Sequence, residues 1–135
     1  MYKNILIPVA LDHEHDTAAA MKIAQRLREE GGKITLLSVV EAIPGYVASY
    51  LPEGQIDKNR HEVETNLKAD AGGVKGVESK VITGHPGGSI VEYAKDHDVD
   101  LIVITSHKPG LQDFFLGSTA ARVVRYSQCP VHVLR

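Results

Sequence analysis

Five short runs rich in aliphatic residues punctuate the chain: Asn4–Val9, Lys33–Val40, Val77–Ile82, Leu101–Thr105 and Val131–Leu134. Stretches with helical spacing of apolar positions separate them, and that alternation predicts right-handed crossovers and a parallel sheet covered by helices on both faces. The first, second and fourth runs are almost continuously apolar, as expected of strands buried on both sides. The third alternates through Val77, Ser79 and Val81, and the last can be read the same way, which suits the sheet edges.

The intervening segments differ in clarity. Asp16 or Thr17 can cap a first helix whose apolar positions Ala20, Met21, Ala24 and Leu27 share one face and which is expected to end at Gly31-Gly32. From Glu41 to about Asn59 two prolines, two glycines and no clean period predict a long irregular loop. A polar second helix is expected over roughly Arg60 to Asp70, with Val63 and Leu67 facing inward. Pro86 suits the first turn of a third helix, whose buried face is Ile90, Val91 and Ala94. Gly87 and Gly88 in that turn each cost about 0.5–1 kcal/mol against alanine and have no explanation in the sequence. The fold class predicted is therefore α/β: a single domain spanning residues 1–135, with a doubly wound five-stranded parallel sheet of order 3-2-1-4-5. Such sheets take ligands outside the carboxyl ends of their strands where the order reverses, here between the first and fourth strands.

Composition narrows the possible partners. The 135 residues are 43% hydrophobic and 24% charged, with a formal net charge of −2, so there is no basic footprint for nucleic acid. No apolar run approaches the roughly 20 residues that cross a bilayer, and the opening MYKNILIPVA reads as a strand rather than a leader, so no membrane partner is expected. The single cysteine, Cys129, excludes an intramolecular disulfide and suits a cytoplasmic location; it reads as a small buried filler before Pro130.

The chemistry concentrates near the end of the chain. The run Leu101–Ile104 empties into a polar loop, Thr105 to Pro109, and Gly117-Ser118-Thr119 then opens an alanine-rich helix. A helix start leaves four backbone N–H groups without intrahelical acceptors, and two hydroxyls can join them, which makes an anion site. Lys108 can add a charge, and the macrodipole contributes about 0.3–1 kcal/mol per well-placed anion. The same residues also suit a plain helix cap, and His107 suits a turn as well as a phosphate contact. The tract Asp12-His13-Glu14-His15-Asp16 has zinc-type ligands, but acidic residues at a helix start also satisfy the dipole, and no metal site is assigned.

Four segments in order, MYKNILIPVALD, ITLLSVVEA, GHPGGSIVEYA and DLIVITSH…LGSTAARVVRYSQCPVHVL, resemble the universal stress protein family over essentially the whole chain. The resemblance implies the fold just derived, a homodimer often paired through the last strand, and in one class a bound ATP, with any Mg2+ held through its phosphates. In that class the loop reads Gly, two residues, Gly, nine residues, then Gly-Ser or Gly-Thr. Here Thr105 stands at the first glycine, Lys108 near the second, the loop is one residue shorter, and Gly117-Ser118 is intact. Ser106-His107-Lys108-Pro109 instead resembles the short F-type branch, whose members are associated with ATP despite lacking those glycines. By position Pro8, Val9 and Val39 would line the base and Gly117, Ser118 and Thr119 the phosphates, with Ser106, His107 and Lys108 beside them. Ala10 stands where the family usually places an aspartate that contacts the nucleoside.

The resulting expectation is an adenine-nucleotide-binding stress or signalling dimer, with a protein partner the sequence does not identify. Efficient catalysis is not expected: the chain has no Gly-x-x-x-x-Gly-Lys-Ser/Thr or Gly-x-Gly-x-x-Gly loop. The alternatives are a slow ATPase or self-phosphorylating enzyme using Ser118 or another hydroxyl, with His107 or Asp12 as base, and a protein that binds no nucleotide and acts through protein contacts.

Overall fold

The computed structural model describes residues 1–11, 17–106 and 116–135. The chain runs β1 (Tyr2–Pro8), α1 (Thr17–Leu27), β2 (Arg28–Val40), α2 (Gly45–Ala48), α3 (Gln55–Ala71), β3 (Val77–Thr83), α4 (Pro86–Asp96), β4 (Leu101–Thr105), α5 (Ser118–Tyr126) and β5 (Val131–Leu134). The five strands form one parallel sheet in the order β3-β2-β1-β4-β5, as the alternation of apolar runs predicts.

Period-two alternation sorts the central strands between two cores. Ile5, Ile7, Ile34, Leu36, Leu101 and Val103 join Ala20, Met21 and Ala24 of α1 and Leu67 and Ala71 of α3. On the opposite face Leu6, Leu37, Ile102 and Ile104 join Ile90 and Ala94 of α4 and Ala120 and Val123 of α5. Leu6 and Ile102 have no exposure at all, so truncating either would cost the few kcal/mol typical of a fully enclosed aliphatic side chain.

Two boundaries differ from the sequence reading. The first helix stops at Leu27, four residues before the expected glycine pair, because Arg28 already pairs with Tyr2. Between that pair and Asn4↔Lys33, β1 advances two residues while β2 advances five. Gly31 at φ +79° and Gly32 turn that surplus: a Cβ on Gly32 would lie 2.8 Å from Arg28 Cγ and 3.0 Å from the Tyr2 carbonyl oxygen. The segment read as a long loop holds the short α2 and the first turn of α3, which begins at Gln55 rather than near Arg60. The Gln55 N–H donates to the Pro52 carbonyl, and Gly54 adopts a left-handed conformation that reverses the chain into the helix.

Gly87 acquires a reason. A Cβ there would meet Arg122 Cδ at 2.6 Å and Arg122 Cβ at 3.0 Å, so glycine is what lets α5 approach the first turn of α4. Gly88 is not under the same constraint, its nearest contact being Arg122 Nε at 3.9 Å. Cys129 is only half-buried, packed at the margin of the second core, with its Sγ 3.4 Å from Ser127 Oγ.

Candidate functional site

The two central strands part at their carboxyl ends. β1 and β4 pair at Ile5↔Leu101 and Leu6↔Ile102, yet β1 continues to Pro8 and β4 to Thr105. The outer neighbours stay attached throughout: Pro8 pairs with Leu37, and Thr105 with Leu134. The gap that opens therefore lies between β1 and β4, where the strand order reverses, as expected of a doubly wound sheet.

One wall of this crevice is the end of β1 with β2. The Val9 N–H donates to the Leu37 carbonyl at 2.8 Å, and the Ser38 hydroxyl donates to the Val9 carbonyl at 2.9 Å. Ser38 is fully buried, so its bond fixes the chain leaving β1 in a setting where an unmade hydrogen bond is costly. Val9 and Val39 are both buried, Val9 in the first core and Val39 in the second. Pro8 is half-buried and Ala10 exposed.

The other wall is the end of β4 with the start of α5. Ser106 directs both its N–H, at 2.8 Å, and its hydroxyl, at 3.2 Å, to the Leu134 carbonyl of β5. Ser106 thus closes the β4–β5 edge and has neither donor turned to the crevice. Gly117 is the N-cap of α5 at φ 86° and ψ 146°, a region open essentially to glycine alone. Its built Cβ position lies 3.8 Å from the Ser106 carbonyl oxygen, which sets the helix start against the end of β4.

Helix α5 opens without a side-chain cap and without an acidic residue in its first turn. The first hydrogen bond of the helix runs from the Ala121 N–H to the Gly117 carbonyl at 2.9 Å. The N–H groups of Ser118, Thr119 and Ala120 therefore precede the intrahelical ladder, and the exposed Ser118 hydroxyl stands with them. Such a cluster favours an anion through amide donors and dipole together.

The structure thus gathers Pro8, Val9, Ala10 and Val39 on one side and Ser106, Gly117, Ser118 and Thr119 on the other. His107 and Lys108 lie outside the described residues, as does the tract Asp12 to Asp16; among the described residues no cluster of His, Cys, Asp and Glu could hold a metal. No described helix is long and apolar enough to cross a membrane. A groove between α4 and α5, floored by Val91 and Lys95, shares no residue with the crevice. Sequence reasoning missed Ser38; the signal available was a hydroxyl, one of two with Thr35, inside the otherwise apolar run Ile34–Val40.

A model described as the universal stress protein family matches residues 1–135. The chain is 32% identical over 145 residues to universal stress protein G of Salmonella typhimurium, covering 100% of both chains. It is 33% identical to universal stress protein YxiE of Bacillus subtilis, covering 94% of this chain and 96% of that one. Among solved structures, universal stress protein UspA from Lactobacillus plantarum superposes with a TM-score of 0.70 at 28% identity, covering 99% of this chain and 98% of the other. A family protein from Arabidopsis thaliana with AMP bound shares the fold at a TM-score of 0.63 and 21% identity, covering 98% and 90%. The universal stress protein from Archaeoglobus fulgidus in complex with dAMP does so at 0.61 and 21%, covering 99% and 98%.

Proposed function

The chain belongs to the universal stress protein family, and from that premise we propose that it binds an adenine nucleotide, ATP foremost, in the crevice between β1 and β4. The observation that carries the proposal is the parting of β1 from β4 beyond Leu6 and Ile102, directly beside an uncapped helix start. The binding of AMP and of dAMP by proteins of the same fold supports the same class of ligand.

In this reading the phosphates sit at Gly117, Ser118 and Thr119, held by the amides and hydroxyls of the first turn of α5. The base lies against the end of β1 and β2, where Pro8, Ala10 and the backbone of Val9 and Val39 offer contacts. Mg2+ would be carried by phosphate oxygens and water rather than by a protein cage. Ser106 contributes position, since its two donors already serve Leu134. Nothing among the described residues of the crevice supplies a carboxylate to orient an attacking water, and the proposed role is regulated binding rather than turnover. The protein works as a homodimer joined at β5, an edge strand with one free side in the monomer.

Calorimetric titration with ATP, AMP and sulfate tests the reading. ATP is expected to bind more tightly than AMP, and AMP more tightly than sulfate. Equal binding of sulfate and ATP would leave a generic anion hole, and absence of heat with all three would remove the nucleotide altogether. Incubation with labelled ATP is expected to yield neither ADP nor labelled protein.

A further inference from the structure

The segment after β2 carries an apolar face that the fold does not use. Ile43, Tyr46, Val47 and Tyr50 are 37, 75, 39 and 89% exposed. Tyr46 and Tyr50 stand four residues apart with Val47 beside them on the turn, and Ile43 lies just ahead of the extended Pro44, at ψ 143°, that leads into it. The backbone makes that spacing real: the N–H groups of Val47 and Ala48 donate to the Pro44 carbonyl, Ser49 to Gly45, Tyr50 to Val47 and Leu51 to Ala48. Two tyrosines four residues apart thus stand in water on one side of a hydrogen-bonded turn. Tyrosine exposed in this way is typical of interface centres, where a rigid aromatic contributes large contact area at small entropic cost.

Charge decides what covers the face. From Glu41 to Lys58 the chain has three carboxylates against one lysine, Lys58 at the far end, and both Glu41 and Glu53 are exposed. Two copies meeting face to face would bring those carboxylates together, which opposes self-association through this surface. An anionic lipid surface or a nucleic acid would meet the same repulsion. A segment bearing Lys or Arg beside apolar residues gains on both counts, through pairing with the carboxylates and cation–π contact with the tyrosines. We propose that the face formed by Ile43, Tyr46, Val47 and Tyr50 docks a basic amphipathic segment of a protein partner. The surface directly follows the carboxyl end of β2, on the rim where the crevice opens, yet the inference stands whether or not the crevice holds nucleotide.

The test uses the full chain and two fluorescein-labelled amphipathic peptides, one of leucine and lysine and its counterpart of leucine and glutamate, read by anisotropy at low and high salt. The lysine peptide is expected to bind at least about ten-fold more tightly than the glutamate peptide, with affinity falling as salt rises. The double variant Tyr46→Ser, Tyr50→Ser is expected to lose about ten-fold or more while keeping the parent's circular dichroism and melting temperature, since neither ring is buried. The double variant Glu41→Lys, Glu53→Lys is expected to reverse the preference between peptides. Equal binding of both peptides, no binding of either, or undiminished binding by the tyrosine variant overturns the proposal. Sedimentation gives a further check: an oligomer of the parent that the tyrosine variant abolishes would make the face a contact between copies, contrary to the proposal.

Discussion

Replacing Gly87 by alanine is expected to destabilise the protein, while the same replacement one residue later stabilises it. Both glycines lie in the first turn of α4, so their helix propensities and their unfolded-state freedom are alike, and alanine at either site gains about 0.5–1 kcal/mol on those grounds. The neighbours differ. At Gly87 the new methyl would lie 2.6 Å from Arg122 Cδ, 3.1 Å from Cγ and 3.0 Å from Cβ. The outer atoms can swing away by rotation, but Cβ is fixed to the backbone of α5, so the two helices must separate by a few tenths of an ångström. Forcing a methyl into a filled contact costs about 1–3 kcal/mol, which exceeds the propensity gain. At Gly88 the nearest atom, Arg122 Nε, is 3.9 Å away, and the gain survives.

The expected order of stability is therefore Gly88→Ala above parent above Gly87→Ala, with the two variants separated by roughly 1–3 kcal/mol, or about 4–10 °C in melting temperature for a chain of this length. Urea and thermal melts followed by circular dichroism at the helix band measure it, since the chain has no tryptophan to report. Arg122→Gly combined with Gly87→Ala removes all three close approaches, the fixed Cβ included, so a double-mutant cycle should show favourable coupling between the substitutions. A Gly87→Ala protein as stable as its Gly88→Ala counterpart, or strict additivity in the cycle, would refute the idea that glycine is present to admit Arg122.

Gly117→Ala is expected to cost about 1–3 kcal/mol through torsional strain alone, because its backbone region is closed to other residues although space is available, and to weaken ATP in calorimetry; an unchanged melt would refute the strain argument. Asp100→Ala is expected to destabilise by about 1–3 kcal/mol in urea, because the carboxylate accepts the N–H groups of both Lys3 and Asn4 at 2.8 and 2.9 Å; Asp100→Asn should recover part of that loss. Burial, with a smaller contribution from Glu78, holds the Tyr93 hydroxyl above its ordinary value of 10.0. The folded state keeps that proton longer than the unfolded chain does, so the associated stability is present below about pH 10 and is lost as pH rises through the folded value. Urea melts on both sides of that pH should show a steeper decline for the parent than for Tyr93→Phe, and parallel declines would refute the assignment.

The sheet was legible in the sequence because burial on two faces leaves continuous apolar runs, and edge strands alternate; both patterns survive in the order and exposure of the strands. The start of β2 was not legible. Arg28-Glu29-Glu30 has the composition of a helix end, and what draws it into the sheet is pairing with Tyr2, together with the Arg28 guanidinium donating to the Lys75 carbonyl 47 positions away. Local propensity favoured helix and tertiary pairing overrode it. The start of α3 was hidden for a different reason: Gln55–Asn59 has one apolar residue, the exposed Ile56, and so no apolar period, and the helix there follows the Pro52–Gly54 turn rather than an amphipathic face.

The crevice was half legible, and the division follows sequence distance. The start of α5 announces itself locally, since Gly117-Ser118-Thr119 before an alanine run is a helix start in any context. The features that shape the walls are long-range: Ser38 reaches Val9 across 29 positions, and Ser106 reaches Leu134 across 28. Read in isolation Ser106 is a polar loop residue with a hydroxyl to offer a phosphate; in the fold its hydroxyl and its amide converge on one carbonyl and tie β4 to β5. Ser38 by contrast looks like a flaw in an apolar strand and is the anchor of the opposite wall. Each wall is thus fastened outward, β1 to β2 and β4 to β5, and this leaves the space between them as the one place on the sheet's carboxyl edge where two adjacent strands separate among the described residues. The two serines thus fix the backbone at the ends of β1 and β4 independently of what occupies the space between them.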